Sequence, residues 1–243
     1  MTDAPFSRTE RLLGSEAVAT LKTSHVAVFG IGGVGSFTAE ALARCGIGNL
    51  TLIDADFVCA SNINRQLIAL YSTIGKPKAE VMSARIRDIN PDAQVTVYNL
   101  FYNAETASVI DLASFDYIAD AIDTVDAKVE LIVRAKQAGT PIMSCMGAGN
   151  KLDPTRFEIG DIHKTSVCPL CKVMRKRLAE RHIDTLKVVY SKENPQPSST
   201  ADIIPDTDTQ LPKRRKVPGS IAFVPSVAGL ILAGEIVKDL LKA

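Results

Sequence analysis

Residues 26–56 read VAVFGIGGVGSFTAEALARCGIGNLTLIDAD. The apolar run 26–29 has the composition of a buried strand, and Gly30, Gly32 and Gly35 follow it at once as G-x-G-x-x-G, with Gly33 in the same turn. From 34 to 44 apolar residues recur at helical spacing, so the segment reads as strand, tight turn and helix. Glycine suits such a turn because a backbone without Cβ approaches a phosphate closely, and the amides opening the helix face its negative charge. A second strand, 50–53, delivers Asp54 nineteen residues after Gly35, where a dinucleotide fold places its ribose-binding carboxylate. NAD and ATP both satisfy this fingerprint.

The bulk composition sets the frame. The 243 residues are 46% apolar and 23% charged, as expected for a globular chain that buries a full core. The polar opening MTDAPFSRTERLLGSEA lacks the charged, apolar and small-residue order of a signal peptide, and five cysteines, an odd count without the dense spacing of a secreted scaffold, agree with a reducing compartment. A cytoplasmic location is expected. The apolar stretch near the C-terminus, 219–243, contains Pro225 and loses its uncharged run at Gly234, short of the roughly 20 residues a membrane span requires. It is expected to be a buried terminal helix, without stable membrane insertion.

Beyond residue 56, helical spacing recurs over 76–89 and 125–138, and strands are expected at 94–98, 116–121 and 141–146. Alternation of this kind predicts an α/β fold, a Rossmann-like, mostly parallel sheet with helices on both faces. The net charge of +1 conceals −4 over residues 1–160 and +5 over 161–243. This suggests a nucleotide-binding core over 1–160 with an N-terminal helical arm. A basic C-terminal half, 161–243, packs on the same domain. It carries a loop at 191–219 with five of the twelve prolines, and the basic runs CKVMRKRLAERH (171–182) and KRRK (213–216), where a nucleic-acid backbone would find cations.

What separates ATP from NAD is DADFVCASNINRQ, 54–66. A hydride-transferring enzyme needs one acid here, whereas this chain adds Asp56, then Asn62, Asn64, Arg65 and Gln66, then GKPKAE with Lys76 and Lys78. Arginine offers phosphate a planar fork and lysine a point charge that neutralises a departing pyrophosphate. Downstream, YIADAIDTVDAK brings Asp123 to a strand end at the carboxyl edge of the sheet, where a carboxylate beside a triphosphate holds Mg²⁺.

With GIGGVGS, DAD, SNINRQ, GKPKAE and DAIDTVDAK in this order over roughly residues 8–160, the chain resembles the E1-like ATP-dependent adenylating enzymes. The resemblance implies ATP and Mg²⁺ as cofactors, Asp54 and Lys78 on the ribose and phosphates, Asn62, Arg65 and Gln66 along the triphosphate, and Asp123 at the metal. It also implies a homodimer in which an N-terminal arginine, Arg11 or alternatively Arg8, reaches into the partner's site. The opening SRTERLLGSEAVATL and the segment GAGNKLDPTRFEIGDIHKTSVCPLCKVMRKRL are similar to the tRNA threonylcarbamoyladenosine dehydratase branch, implying tRNA as the partner. In that branch a carboxylate on the tRNA adenosine is adenylated and closed to a cyclic ester.

The alternative within the superfamily is activation of a ubiquitin-like sulfur-carrier protein, with a sulfur-transfer partner. Relatives of that kind hold zinc with two C-x-x-C pairs, and this chain has one, Cys168 to Cys171. His163, five residues upstream, and His182, eleven downstream, could be borrowed for such a site, but structural zinc usually takes Cys-rich sets, so no zinc is expected, and none of the five cysteines is expected to be catalytic.

Overall fold

The computed structural model describes residues 4–197 and 218–242. Strand β1 (His25–Phe29) sends alternate side chains into two cores, because successive residues of a strand point to opposite faces. Val26 and Val28 enter one core, and Ala27 and Phe29 the other. Two short helices precede it, α1 (Ser7–Leu13) and α2 (Ser15–Thr23), forming the N-terminal arm.

The chain then alternates: α3 (Gly35–Arg44), β2 (Asn49–Ile53), α4 (Lys78–Ile89), β3 (Gln94–Tyr98), β4 (Tyr117–Asp120), α5 (Val125–Ala138) and β5 (Ile142–Cys145). Next come β6 (Phe157–Asp161), α6 (Pro169–Ala179), β7 (Lys187–Ser191) and α7 (Phe223–Leu240). The seven strands form one sheet in the order β3-β2-β1-β4-β5-β7-β6, parallel except for β6, which runs against β7. Buried residues of α3, α4 and α7 fill one core and those of α5 and α6 the other.

The strand order reverses at β1, which lies between β2 and β4. Open parallel sheets bind ligands at such a switch point.

Several boundaries move. The helix expected from residue 76 begins at Lys78, because Pro77 is held in an extended conformation ahead of it. The strand expected over 116–121 ends at Asp120, so Asp123 stands three residues beyond it in the loop. Strands β6 and β7 lie outside the sequence expectations: β6 is an edge strand with only Phe157 buried, and β7 is a five-residue run that ends where the proline-containing loop is expected to begin. The division expected at residue 160 falls inside β6, and both cores draw residues from either side of it. Of the loop expected at 191–219, Ser191 belongs to β7, and residues 198–217, with the run KRRK, lie outside the described residues.

The terminal helix α7 buries Val224, Ala228, Leu232, Ile236 and Leu240, a stripe of four-residue spacing that packs on α3. The two helices cross closely at Gly229, where an added Cβ would lie 2.3 Å from the carbonyl oxygen of Val34. No helix among the described residues is long and apolar enough to cross a membrane.

Candidate active site

Two glycines make the turn after β1 possible. Gly30 adopts φ +85°, and a Cβ there would stand 2.8 Å from the Ala121 carbonyl oxygen. A Cβ on Gly35 would come within 1.7 Å of the Gly30 carbonyl oxygen, so the start of α3 is pressed directly against the turn. Asp54, at the end of β2, fastens the same turn. Its Oδ2 accepts the N–H of Ile31 at 2.6 Å and its Oδ1 accepts the N–H of Asp56 at 2.8 Å. Burial pushes its carboxyl above the usual carboxylate range.

A cavity of about 420 Å³ opens at this point. Its wall brings together Gly30, Gly32, Gly33, Asp54, Asp56, Arg65, Gln66, Lys78 and Asp123. Three expected residues are not on it. Gly35 serves the packing just described. Asn62 is fully buried, and its Oδ1 accepts the N–H of Cys59 at 3.1 Å, so it shapes the SNINRQ loop instead of facing the cavity. Arg11 is exposed on α1 and does not line the cavity of its own chain.

The charges on the wall are unequal in their surroundings. Lys78 is 3% exposed and places Nζ 2.9 Å from Asp56 Oδ2, and its backbone N–H also donates to the Asp56 carbonyl at 2.9 Å. Burial nonetheless pushes Asp56 up to about 6, with the charges of Asp54 and Asp123 adding to the effect and Lys78 opposing it. Arg65 is shaped from its own loop, Nη1 donating to the Ser61 carbonyl at 2.8 Å and to Asn64 Oδ1 at 3.0 Å.

Two polar atoms on the wall, Gln66 Oε1 and Tyr102 Oη, are buried and have no hydrogen-bond partner among the described residues. Buried polar atoms are ordinarily satisfied, so both stand out among the residues of this wall. Tyr102 packs edge-on against Phe29 at 5.0 Å, and burial raises its hydroxyl to about 12.

The donor set also suits a hard cation. Asp123 presents a carboxylate on the wall, and its Oδ1 accepts the Thr124 hydroxyl at 3.2 Å. Among the described residues no group of three or more His, Cys, Asp or Glu side chains stands ready to hold a metal unaided. Magnesium is commonly bound in this way, by one or two carboxylates together with substrate phosphates.

The far wall was not legible in the sequence. Gly147, Ala148, Gly149 and Leu170 form it with Pro218, Ser220 and Pro225. Asn150, at φ +56°, ties its parts together: it exchanges backbone and side-chain hydrogen bonds with Gly219 at 2.7 and 2.6 Å, and its carbonyl accepts from the Gln196 N–H at 2.7 Å. Asn64 Nδ2 donates to the Ser220 carbonyl at 2.9 Å, joining the SNINRQ loop to the same segment.

Cys168 and Cys171 are buried beside this wall, at the start of α6. The Cys171 thiol and nearby backbone N–H groups, including that of Gly147, lower Cys168 to about 6, and the same contact raises Cys171. Burial raises Cys145 to about 12. His163 Nε2 lies 3.2 Å from the Ile183 carbonyl oxygen.

The basic helix α6 opens at the cavity, with Leu170 in its first turn on the wall. Its cations divide by role. Lys172 and Lys176 are exposed, whereas Arg175 donates to the Thr165 carbonyl at 2.9 Å and Arg177 pairs with Asp126 at 2.8 Å.

A Bacillus subtilis tRNA threonylcarbamoyladenosine dehydratase is 46% identical over 240 residues, which is 98% of this chain and 94% of that protein. The crystal structure of the Escherichia coli tRNA N6-threonylcarbamoyladenosine dehydratase in complex with ATP superimposes with a TM-score of 0.87 at 34% identity, covering 98% of this chain and 94% of that one. An E. coli molybdopterin-synthase adenylyltransferase is 38% identical over a shorter stretch, 54% of this chain and 51% of that protein. The match to the family extends over residues 6–243, and the chain belongs to the ThiF family.

Proposed function

We propose that this protein uses Mg-ATP to adenylate the carboxylate of a threonylcarbamoyl group on a tRNA adenosine and then closes it to the cyclic ester. A carboxylate oxygen attacks the α-phosphorus and pyrophosphate leaves. The carbamoyl oxygen of the same substrate then attacks the activated acyl carbon, AMP leaves, and the carbamoyl nitrogen gives up its proton. The nucleophile is part of the substrate, so the protein's tasks are positioning and charge stabilisation, and no cysteine is consumed.

On this reading the turn at Gly30, Gly32 and Gly33 admits the phosphates, with Arg65 and Lys78 taking their charge and Asp54 standing at the ribose. Gln66 Oε1 and Tyr102 Oη receive polar groups of the ligand. A magnesium ion held by Asp123 and the phosphates would stabilise charge developing on the pyrophosphate. Arg11, off the wall of its own cavity, would complete the site of a partner subunit in a homodimer. The exposed lysines of α6 would follow the tRNA backbone outward from the cavity, and the compartment would be the cytoplasm.

The observation that carries the reading is the meeting of Lys78, Arg65, the unpartnered Gln66 Oε1 and Asp123 on one cavity at the switch point of the sheet. Its test is AMP release from labelled ATP with threonylcarbamoylated tRNA, with the same tRNA lacking that group, and with a ubiquitin-like sulfur carrier. Release only with the first supports the proposal. Release only with the carrier protein transfers the chemistry to the other substrate class.

A further inference from the structure

Three charged or polar residues that the proposed chemistry leaves unused lie fully buried beside the cavity. Asp120 ends β4, Lys128 lies in the first turns of α5, and Ser144 is on β5, each at 0% exposure. Lys128 Nζ donates to Asp120 Oδ2 at 2.8 Å, and Ser144 Oγ donates to the same oxygen at 2.6 Å. The other carboxylate oxygen accepts the N–H of Ile122 at 3.1 Å. Both carboxylate oxygens of Asp120 are therefore engaged.

The pair closes a ring whose remaining side is the loop 121–124. The strand end is fixed by Asp120, the helix start by the Lys128 N–H donating to the Thr124 carbonyl at 3.0 Å, and the loop's first residue by the Ala121 N–H donating to the Phe29 carbonyl at 2.9 Å. Asp123 sits in the middle of this loop. The same loop touches the phosphate turn, with the Ala121 carbonyl in the space a Gly30 Cβ would need. Withdrawing two charges from water is costly, and an apolar pair often holds a fold as well, so stability alone does not account for an ion pair at this place.

We propose that Lys128, acting through Asp120, is a positioning residue that fixes where the Asp123 carboxylate stands against the nucleotide. The inference rests on the reading of Asp123 as the metal ligand. Ser144 shares the task by holding Asp120 Oδ2 from the neighbouring strand.

The test is direct metal binding, without turnover. Mn²⁺ is titrated by electron paramagnetic resonance into the full chain with a non-hydrolysable ATP analogue and no tRNA, for wild type, Ser144→Ala, Lys128→Met, Asp123→Asn and the combinations with Asp123→Asn. Loss of a group that orients a metal ligand typically weakens the metal by about tenfold or more, and that is expected of Lys128→Met, with a smaller loss for Ser144→Ala. Analogue affinity without metal should change less than about twofold, because the phosphate-binding residues are untouched. Added to Asp123→Asn, neither substitution should weaken Mn²⁺ further, since residues acting through one group are not additive.

Wild-type Mn²⁺ binding in both single variants, or weakening that adds in full to that of Asp123→Asn, overturns the inference. If Lys128→Met does not fold, Ser144→Ala carries the same comparison. An Asp123→Asn protein that binds Mn²⁺ like wild type overturns the metal-ligand reading itself.

Discussion

Lys78 Nζ lies 2.9 Å from Asp56 Oδ2, yet the carboxyl of Asp56 stays raised, to about 6. Burial and two neighbouring carboxylates outweigh one ammonium. The folded protein consequently holds a proton on Asp56 at pH values where the unfolded chain, with a carboxyl near 3.8, has released it. More protons bound in the folded state means that this group's contribution to stability falls as pH rises from about 4 to about 6 and is level above that.

Asp56→Asn removes this pH dependence. The stability advantage of wild type over the variant is expected to shrink across that window, by on the order of 1 kcal/mol once solvent screening of a partly exposed group is counted. Urea unfolding at pH 4, 5, 6 and 7 measures it. An advantage that widens with pH would contradict the assigned environment.

The two ends of the glycine turn are expected to respond differently. Gly35→Ala would drive a methyl to 1.7 Å from the Gly30 carbonyl oxygen, a backbone clash that can be relieved only by moving α3 off the turn. The expected result is little folded protein. At Gly33 the nearest atoms to an added Cβ are in the Pro225 ring at 3.2 Å, so Gly33→Ala should fold with a melting temperature lower by only a few degrees. Its methyl would stand on the cavity wall, and the thermal shift on adding Mg-ATP should be largely abolished. Circular dichroism melts with and without Mg-ATP check both, and a full nucleotide shift in Gly33→Ala would place the phosphates elsewhere.

How legible the site was depended on how its residues are joined. Gly30, Gly32, Gly33, Asp54, Arg65 and Lys78 belong to consecutive elements around β1 and β2, and their spacing and chemistry pointed to the cavity they line. Asn62 has the same polar character but turns inward to hold Cys59, an orientation no spacing encodes. Asp120, Lys128 and Ser144 meet only when β4, β5 and α5 are assembled, and a lysine in a helical run ordinarily implies a solvated face. The far wall depends on Asn150 and Gly219, 69 residues apart in sequence. The fold was more legible than the site because its parallel strands carry continuous apolar runs, whereas the edge strand β6, with most of its side chains outside the core, carries none.

Helix α6 separates two kinds of cation that its sequence presents alike. Replacing exposed Lys172 and Lys176 by alanine should weaken tRNA binding and lessen its salt dependence, reducing the log–log slope by about one for each phosphate no longer neutralised. Arg175→Ala should instead lower the melting temperature, because the Thr165 carbonyl is deprived of its charged donor. Filter binding at two salt concentrations and thermal melts distinguish them. A salt slope unchanged in the double lysine variant would remove α6 from the tRNA path.

The position of Arg11 makes the proposed dimer testable by complementation. Arg11 lies exposed on α1 and off the wall of its own cavity, whereas Asp123 lies on that wall. If Arg11 of the partner subunit completes each site, Arg11→Ala and Asp123→Asn proteins are each inactive alone for different reasons. A mixed dimer then holds one site with both defects and one with neither, because an arginine given in trans couples the intact Arg11 of one chain to the intact Asp123 of the other. Random reassociation makes half of the dimers mixed, each with one working site of two, so co-refolded variants should recover about a quarter of the wild-type rate of AMP release. An arginine acting within its own chain would leave every site of the mixture with one defect, and the rate would stay at the level of the separate variants.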